Sequence, residues 1–345
     1  MNYFYKFLVC LLCAIPALSF AQEVVNEDSF KPEIHGNIRG KFEYQPEIDM
    51  GRFQVRNARM SVSGLALSKV AYKAEIDLSD QGVTRMLDAY VKLLVNDKLS
   101  VAIGQMRVPF TIDAHRSPYS RFFANRSFIG KQVGDVRDVG TVVSYKNSLG
   151  SVPFSLEGGI FNGDGLTDQK EWQTNYNHSL KAQFLFNDKW NVTISEQMLK
   201  PSLYRVNMYD LGTYYKTGNF HVEFEYLYKM YERNAFDDVH SVDVFAMYNV
   251  PVKGFFQNIS FLARYDMMTD HSDGEMSDAE IAAGELWIDD AARHRATGGV
   301  TLSLSKMFHA DIRLNYEKYF YRDGAESLID TSEMDKFVVE FVCKF

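Results

Sequence analysis

The chain has 345 residues and a formal net charge of −8, with 14% aromatic residues that include 20 Tyr and 26 Phe. A chain this acidic makes a poor nucleic-acid ligand. After the leader, no segment carries the eighteen or more apolar residues that a helical membrane span needs.

Residues 1–21 read as a cleaved secretory signal. Lys6 precedes an apolar stretch from Phe7 to Phe20 that is too short to cross a bilayer, and Ser19-Phe20-Ala21 sets small residues at the cleavage site. Cys10 and Cys13 leave with it, so only Cys343 remains and no intrachain disulfide forms. Residues 22–345 are expected to form one domain, since a closed barrel is indivisible.

From residue 34 onward the sequence alternates. In 34–44, Ile34, Gly36, Ile38, Gly40, Phe42 and Tyr44 oppose His35, Asn37, Arg39, Lys41 and Glu43. In 70–78, Val70, Tyr72, Ala74, Ile76 and Leu78 oppose Lys73, Glu75 and Asp77, and in 220–231 Phe220, Val222, Phe224, Tyr226 and Tyr228 oppose His221, Glu223, Glu225 and Lys229. A period of two with one apolar and one charged face predicts a transmembrane β-strand with lipid outside and water inside. Further strands are predicted near 52–64, 86–95, 99–108, 138–146, 153–161, 176–187, 189–199, 204–216, 240–250, 256–268, 295–306, 308–320 and 335–345. The fold class is therefore all-β, a transmembrane antiparallel β-barrel of about 16 strands. Hairpin turns at 187–189 and 217–219 are placed on the periplasmic side, and long loops at 46–51, 79–85, 110–137, 162–175, 232–239, 269–293 and 322–334 outside.

The last strand alternates Phe337, Val339, Phe341, Cys343 and Phe345 with polar neighbours. It resembles the closing strand of outer-membrane barrels, which implies recognition of Phe345 by the barrel-assembly machinery and a place in the bacterial outer membrane.

Charge is uneven along the chain. Residues 31–146 hold 18 basic against 12 acidic side chains, whereas 147–345 hold 18 against 30. The basic residues expected to line a pore and attract anions are Arg39, Lys41, Arg56, Arg59 and Lys73 on strands, and Arg116, Arg121, Arg126, Lys131 and Arg137 in segment 110–137. Arg56 and Arg59, three apart, share a face only if a bulge intervenes. Segment 110–137 also carries Tyr119, Phe122, Phe123 and Phe128, which suit packing against a wall, so it is expected to fold inward. The alternative is an outer loop whose arginines meet lipopolysaccharide phosphates.

Enzymatic chemistry finds little support. Asp113, His115 and Ser117 alternate on a loop that would hold a triad poorly. Asp164, Asp168 and Glu171, and the acidic run from Asp270 to Asp290, do not fit an EF-hand, and no cofactor motif or metal-ligand spacing occurs. Loop 269–293, with Leu286-Trp287-Ile288, suits a displayed adhesive loop on a non-conducting scaffold; alternatively those apolar residues pack at a barrel mouth or a trimer contact.

Gly51-Arg-Phe-Gln-Val-Arg-Asn-Ala-Arg-Met-Ser-Val-Ser-Gly64, Tyr72-Lys-Ala-Glu-Ile-Asp77, Leu87-Asp-Ala-Tyr-Val91, Ile103-Gly-Gln-Met-Arg-Val-Pro-Phe110, Arg137-Asp-Val-Gly140 and Gly158-Gly-Ile-Phe-Asn-Gly-Asp-Gly165 resemble the phosphate-selective porin O/P family in order and spacing. The resemblance implies a 16-stranded, trimeric outer-membrane porin whose third external loop narrows a water-filled path, in contact with outer-membrane lipid and lipopolysaccharide. Phosphate selectivity does not carry over with it; small anions, with phosphate as one candidate, are the solutes expected from the basic residues. Segment 110–137 stands where that loop belongs. Carboxylates on the predicted lumen faces, Glu43, Glu75, Asp77, Asp88, Glu157, Glu223, Glu225, Asp243 and Asp311, dilute the basic set, which leaves a weakly selective general porin as the alternative.

Overall fold

The computed structural model describes residues 30–80, 82–131, 136–167, 169–305 and 307–345. Residues 1–21, read above as a secretory signal, lie outside them. Alternation over many segments leaves each strand with one face that water must wet and one that lipid must, and a sheet with two such faces satisfies its edges only by closing.

Among the described residues, sixteen strands do this: β1 (Glu33–Gln45), β2 (Met50–Leu67), β3 (Val70–Asp80), β4 (Val83–Leu94), β5 (Leu99–Arg107), β6 (Arg137–Leu149), β7 (Val152–Phe161), β8 (Asn177–Phe186), β9 (Trp190–Leu199), β10 (Val206–Thr217), β11 (Phe220–Tyr231), β12 (Val239–Pro251), β13 (Asn258–Met268), β14 (Arg293–Ser303), β15 (Ala310–Tyr321) and β16 (Lys336–Lys344). Each pairs antiparallel with its sequence neighbours, and β1 pairs with β16 to close the barrel. Every predicted strand is present.

The faces follow the alternation. Along β11, His221, Glu223, Glu225, Leu227 and Lys229 are buried toward the lumen, while Phe220, Phe224 and Met230 are exposed outward. A register shift at Arg39/Gly40 makes Arg56 the extra residue of a bulge, since Asn57 faces Arg39 and Val55 faces Gly40. That bulge is what lets Arg56 and Arg59 both turn toward the lumen.

One rim carries connections of at most six residues and the other the long loops, except that two segments expected to be long there are tight: four residues separate β1 from β2, which starts at Met50, and two separate β3 from β4, which starts at Val83. The 187–189 turn places Asn187 and Asp188 at φ 50° and 56°, the left-handed pair that a two-residue hairpin requires. Opposite lie the long loops, to which the structure adds 200–205, between β9 and β10. At the seam, Gly36 and Phe345 exchange backbone hydrogen bonds at 2.7 and 2.9 Å. The Phe345 ring lies directly over Gly36, where a Cβ would overlap it.

Loop 269–292 packs down on its rim. Ser277 and Glu280 form a capping box on the helix Asp278–Ala283. Leu286 is buried in the same apolar cluster as Tyr204 and Tyr231, and Tyr204 Oη donates to Gly284 O at 2.7 Å. Of the apolar trio, Leu286 thus serves the mouth packing, while Trp287 stays half exposed.

Candidate functional site: the lumen and its inner loop

Residues 108–131 of the connection between β5 and β6 lie inside the barrel. Phe110, Phe128 and Ile129 are at most 1% exposed and pack with the wall residues Ala102, Met106, Val142, Phe161, Met208 and Leu227. Burying such side chains is worth about 1.5–3 kcal/mol each. A loop buried this way must still satisfy its backbone, and the wall supplies the partners. Its carbonyls accept from four guanidinium groups: Tyr119 O from Arg313 at 2.7 Å, Ala124 O from Arg39 at 2.9 Å, Asn125 O from Arg264 at 3.1 Å and Arg126 O from Arg295 at 2.6 Å.

Its amides are met by wall acceptors. Thr111 N donates to Ser195 Oγ at 3.0 Å, Ala124 N to Asn315 Oδ1 at 2.9 Å and Phe128 N to Asp266 at 3.1 Å, and Ile112 and Asp113 N both donate to Glu225. These anchors lie on β1, β9, β11, β13, β14 and β15, so the loop crosses the lumen from its root at β5 and β6. The wall arginines are in turn held by carboxylates. Arg39 and Arg313 share Glu340, at 2.5 and 2.9 Å, and Arg295 binds Asp266 at 2.5 Å and Glu317 at 3.3 Å.

The ten basic residues singled out from the sequence divide into two groups. Seven are ion-paired. Arg39 meets Glu340, Lys41 meets Glu43 at 2.7 Å, Arg59 meets Asp77 at 2.8 Å, Lys73 meets Asp88 at 2.5 Å and Arg137 meets Asp88 at 2.6 Å. In the loop, Arg116 meets Glu223 at 2.8 Å and Lys131 contacts Glu333.

Arg56, Arg121 and Arg126 form no ion pair among the described residues. Arg121 is 5% exposed. Burial, with the charges of Arg126 and Arg39 beside it, pushes its guanidinium well below the usual range. Arg126 is pushed down to about 10, first by burial, with Asp113 opposing and Arg56 and Arg59 adding to it. These groups therefore share one positive field, with Asp113 its nearest opposing charge. Burial alone would raise the Asp113 carboxyl, but Arg116 and Arg121 hold it below the usual range.

Two open spaces flank Arg59. Toward the long-loop rim, a cavity of about 700 Å³ is lined by Arg56, Asn57, Arg59, Asp77 and Arg85. Toward the short-turn rim, one of about 200 Å³ is lined by His35, Arg59, Lys73, Glu75 and Lys344, with Ser117, Pro118 and Tyr119 of the inner loop on its far side. Together they carry Arg56, Arg59, Arg85, Lys73 and Lys344 against Asp77 and Glu75. Arg85 and Lys344 escaped the sequence reading. So did the loop-holding role of Arg264, Arg295 and Arg313.

The candidate triad does not assemble. Asp113 binds Ser127 Oγ at 2.8 Å and Arg116 at 3.4 Å, while His115 gives its carbonyl to Arg107 at 2.9 Å. Asp164 accepts from Gln173 at 2.6 Å, Asp168 lies outside the described residues, and among the described residues no three potential metal ligands gather.

A barrel of this strand number with a loop folded into its lumen is the architecture of a porin, and residues 33–189 match the family model described as phosphate-selective porin O and P. Over these residues, a little under half of the chain, the sequence is similar to that porin family. The sequence matches none of the curated proteins with which it was compared. Solved porins share its fold. OmpF of Salmonella typhi, in complex with daunomycin, superposes with TM-score 0.65 at 14% identity, covering 93% of this chain and 99% of that one. An anion-selective porin from Comamonas acidovorans gives 0.62 at 12%, covering 91% and 99%, and in-vitro folded OmpT of Vibrio cholerae in its trimer form gives 0.62 at 13%, also covering 91% and 99%. At such identities these likenesses establish the fold alone. Family and fold together place this porin in the bacterial outer membrane.

Proposed function

We propose that the porin passes small anions, phosphate among them, through a slot between the inner loop and the β1–β4 wall, with the loop as its constriction. The observation that carries this reading is the pair of cavities meeting at Arg59, whose linings hold five basic side chains against two carboxylates. In a narrow passage with low-dielectric walls, such an excess raises the local anion concentration. The loop blocks the other side of the lumen, and its unpaired Arg121 and Arg126 lend their field to the slot.

Most wall charges are matched in pairs, so the selectivity expected is modest. The anion-selective porin with the same fold, and the trimeric form of OmpT, fit an anion channel that works as a homotrimer. Lipid and lipopolysaccharide outside the barrel, and the assembly machinery at Phe345, complete the expected partners. Replacing Arg56, Arg59 and Arg85 together by Ala should move the reversal potential toward cations while leaving an open channel. An unchanged potential overturns the slot.

A further inference from the structure

A third cavity, of about 460 Å³, opens at the long-loop mouth, across the β7–β8 connection from the slot. Residues 163–167 form the partition. Leu166 lines the slot's outer cavity, whereas Gly163, Asp164, Gly165 and Thr167 line this one. Gly163 and Gly165, at φ 102° and 61°, give the partition its turns. The rest of the wall comes from β8, β9, β11 and the 269–292 loop, through Asn177, Gln197, Lys229, Asp273 and Glu275.

Its charge is opposite to that of the slot. Four carboxylates, Asp138, Asp164, Asp273 and Glu275, stand against two ammonium groups, Lys131 and Lys229. Both lysines are engaged: Lys131 contacts Glu333, and Lys229 Nζ donates to Ser272 O at 2.6 Å. Asp138 spends its oxygens on Val139 N at 2.6 Å and Gly163 N at 2.8 Å. Asp273 and Glu275, exposed at the rim, form no ion pair among the described residues.

Gln197 adds an observation independent of charge. It projects inward from β9, is 2% exposed and lines this cavity, and its Oε1 has no hydrogen-bond donor. Buried amide oxygens are as a rule paired, so this one calls for a donor that the chain does not provide. An alkylammonium brings three N–H donors on an apolar stem, and Leu199 and Pro201 offer that stem apolar contact. A divalent metal ion fits less well. Among the described residues no three potential metal ligands gather, so these carboxylates do not close around one ion.

We infer that this cavity binds small primary alkylammonium ions, with Gln197 Oε1, Asp273 and Glu275 as acceptors and Leu199 and Pro201 beside the alkyl stem. The mouth then holds two compartments of opposite sign, one on each side of residues 163–167. The inference concerns a compartment apart from the slot and stands whichever ions the slot prefers.

The test is calorimetric titration of the purified porin in detergent with 1,4-diaminobutane at neutral pH. The wild type should bind it saturably. Asp273→Asn/Glu275→Gln should weaken binding about tenfold, the scale of two partly exposed ion pairs. Asp237→Asn/Glu285→Gln removes the same charge from the long-loop rim outside the cavity and should leave the affinity as it was. Gln197→Leu should also weaken binding, with heat-modifiable mobility confirming the barrel. No saturable binding, or equal losses in the two double variants, overturns the site. Full affinity in folded Gln197→Leu overturns its inner acceptor. Equal affinity for 1,4-butanediol, or displacement of the diamine by an equal concentration of magnesium, overturns the ammonium assignment in favour of a neutral or a metal ligand.

Discussion

Arg295→Met should release the inner loop without opening the barrel. Arg295 is fully buried, binds Asp266 through both Nε and Nη2, reaches Glu317, lies over the Phe128 ring at 4.6 Å and donates to Arg126 O. Methionine fills much of the volume but leaves two buried carboxylates with only distant cations, Asp266 with Arg264 and Glu317 with Lys336, each at 3.8 Å, and breaking a buried pair costs about 3–5 kcal/mol. The Arg126 carbonyl, left without its donor, adds about 1–3 kcal/mol. The β14 ladders to β13 and β15 are backbone bonds and survive. The cost therefore falls on loop docking, which it weakens by roughly three or more decades at 1.4 kcal/mol per decade. Single-channel recording in a planar bilayer should show larger, noisier conductance, and trypsin should cut at Arg116, Arg121 or Arg126, which the wild type protects. The double change Arg295→Met/Asp266→Asn removes one weakly compensated charge and should restore part of the protection. Wild-type conductance and cleavage in Arg295→Met would show that wall arginines do not hold the loop.

Three further outcomes are expected. Phe345→Ala should reduce heat-modifiable barrel in the outer membrane, and Gly36→Ala should do so too, because its new Cβ would meet the Phe345 ring; normal yields of both would remove the seam from assembly. Phe224→Lys on the outer face should lower folding stability by about 2–4 kcal/mol if it lies near the bilayer midplane, whereas Ser61→Lys, which lines a lumen cavity, should fold normally; equal urea midpoints would refute the face assignment. The Asp113 carboxyl sits below its usual range in the folded loop, so its stabilisation is full above the unfolded value near 3.9 and is lost as pH falls through the lower folded value. Protease protection of the loop should hold at pH 5 and fade below about pH 4, and Asp113→Asn should weaken it already at neutral pH.

The barrel was legible because each strand carries its own instruction: along 220–231, every second residue names its face. The 200–205 loop was missed because the strand predicted over 204–216 took in Tyr204 and Arg205, whose apolar and polar side chains continue its alternation, and left four residues that look like a turn. The loop's anchoring was illegible for a different reason. Arg264, Arg295 and Arg313 reach the inner loop across 139, 169 and 194 residues of sequence, and only barrel closure brings them to its carbonyls. Read alone, they were basic residues in an acidic half. Likewise, Arg116 and Arg126 look equivalent in sequence, but Glu223 pairs with Arg116, and no carboxylate among the described residues pairs with Arg126.

The slot lined by Arg56, Arg59, Arg85, Lys73 and Lys344 is most directly tested by the zero-current potential of the purified wild-type porin across a planar bilayer under a tenfold KCl gradient. The expected sign is that of chloride permeating faster than potassium, with a magnitude that falls as total salt rises and the Debye length contracts from about 10 Å at 0.1 M to 3 Å at 1 M. A potential of the potassium sign at low salt would contradict it.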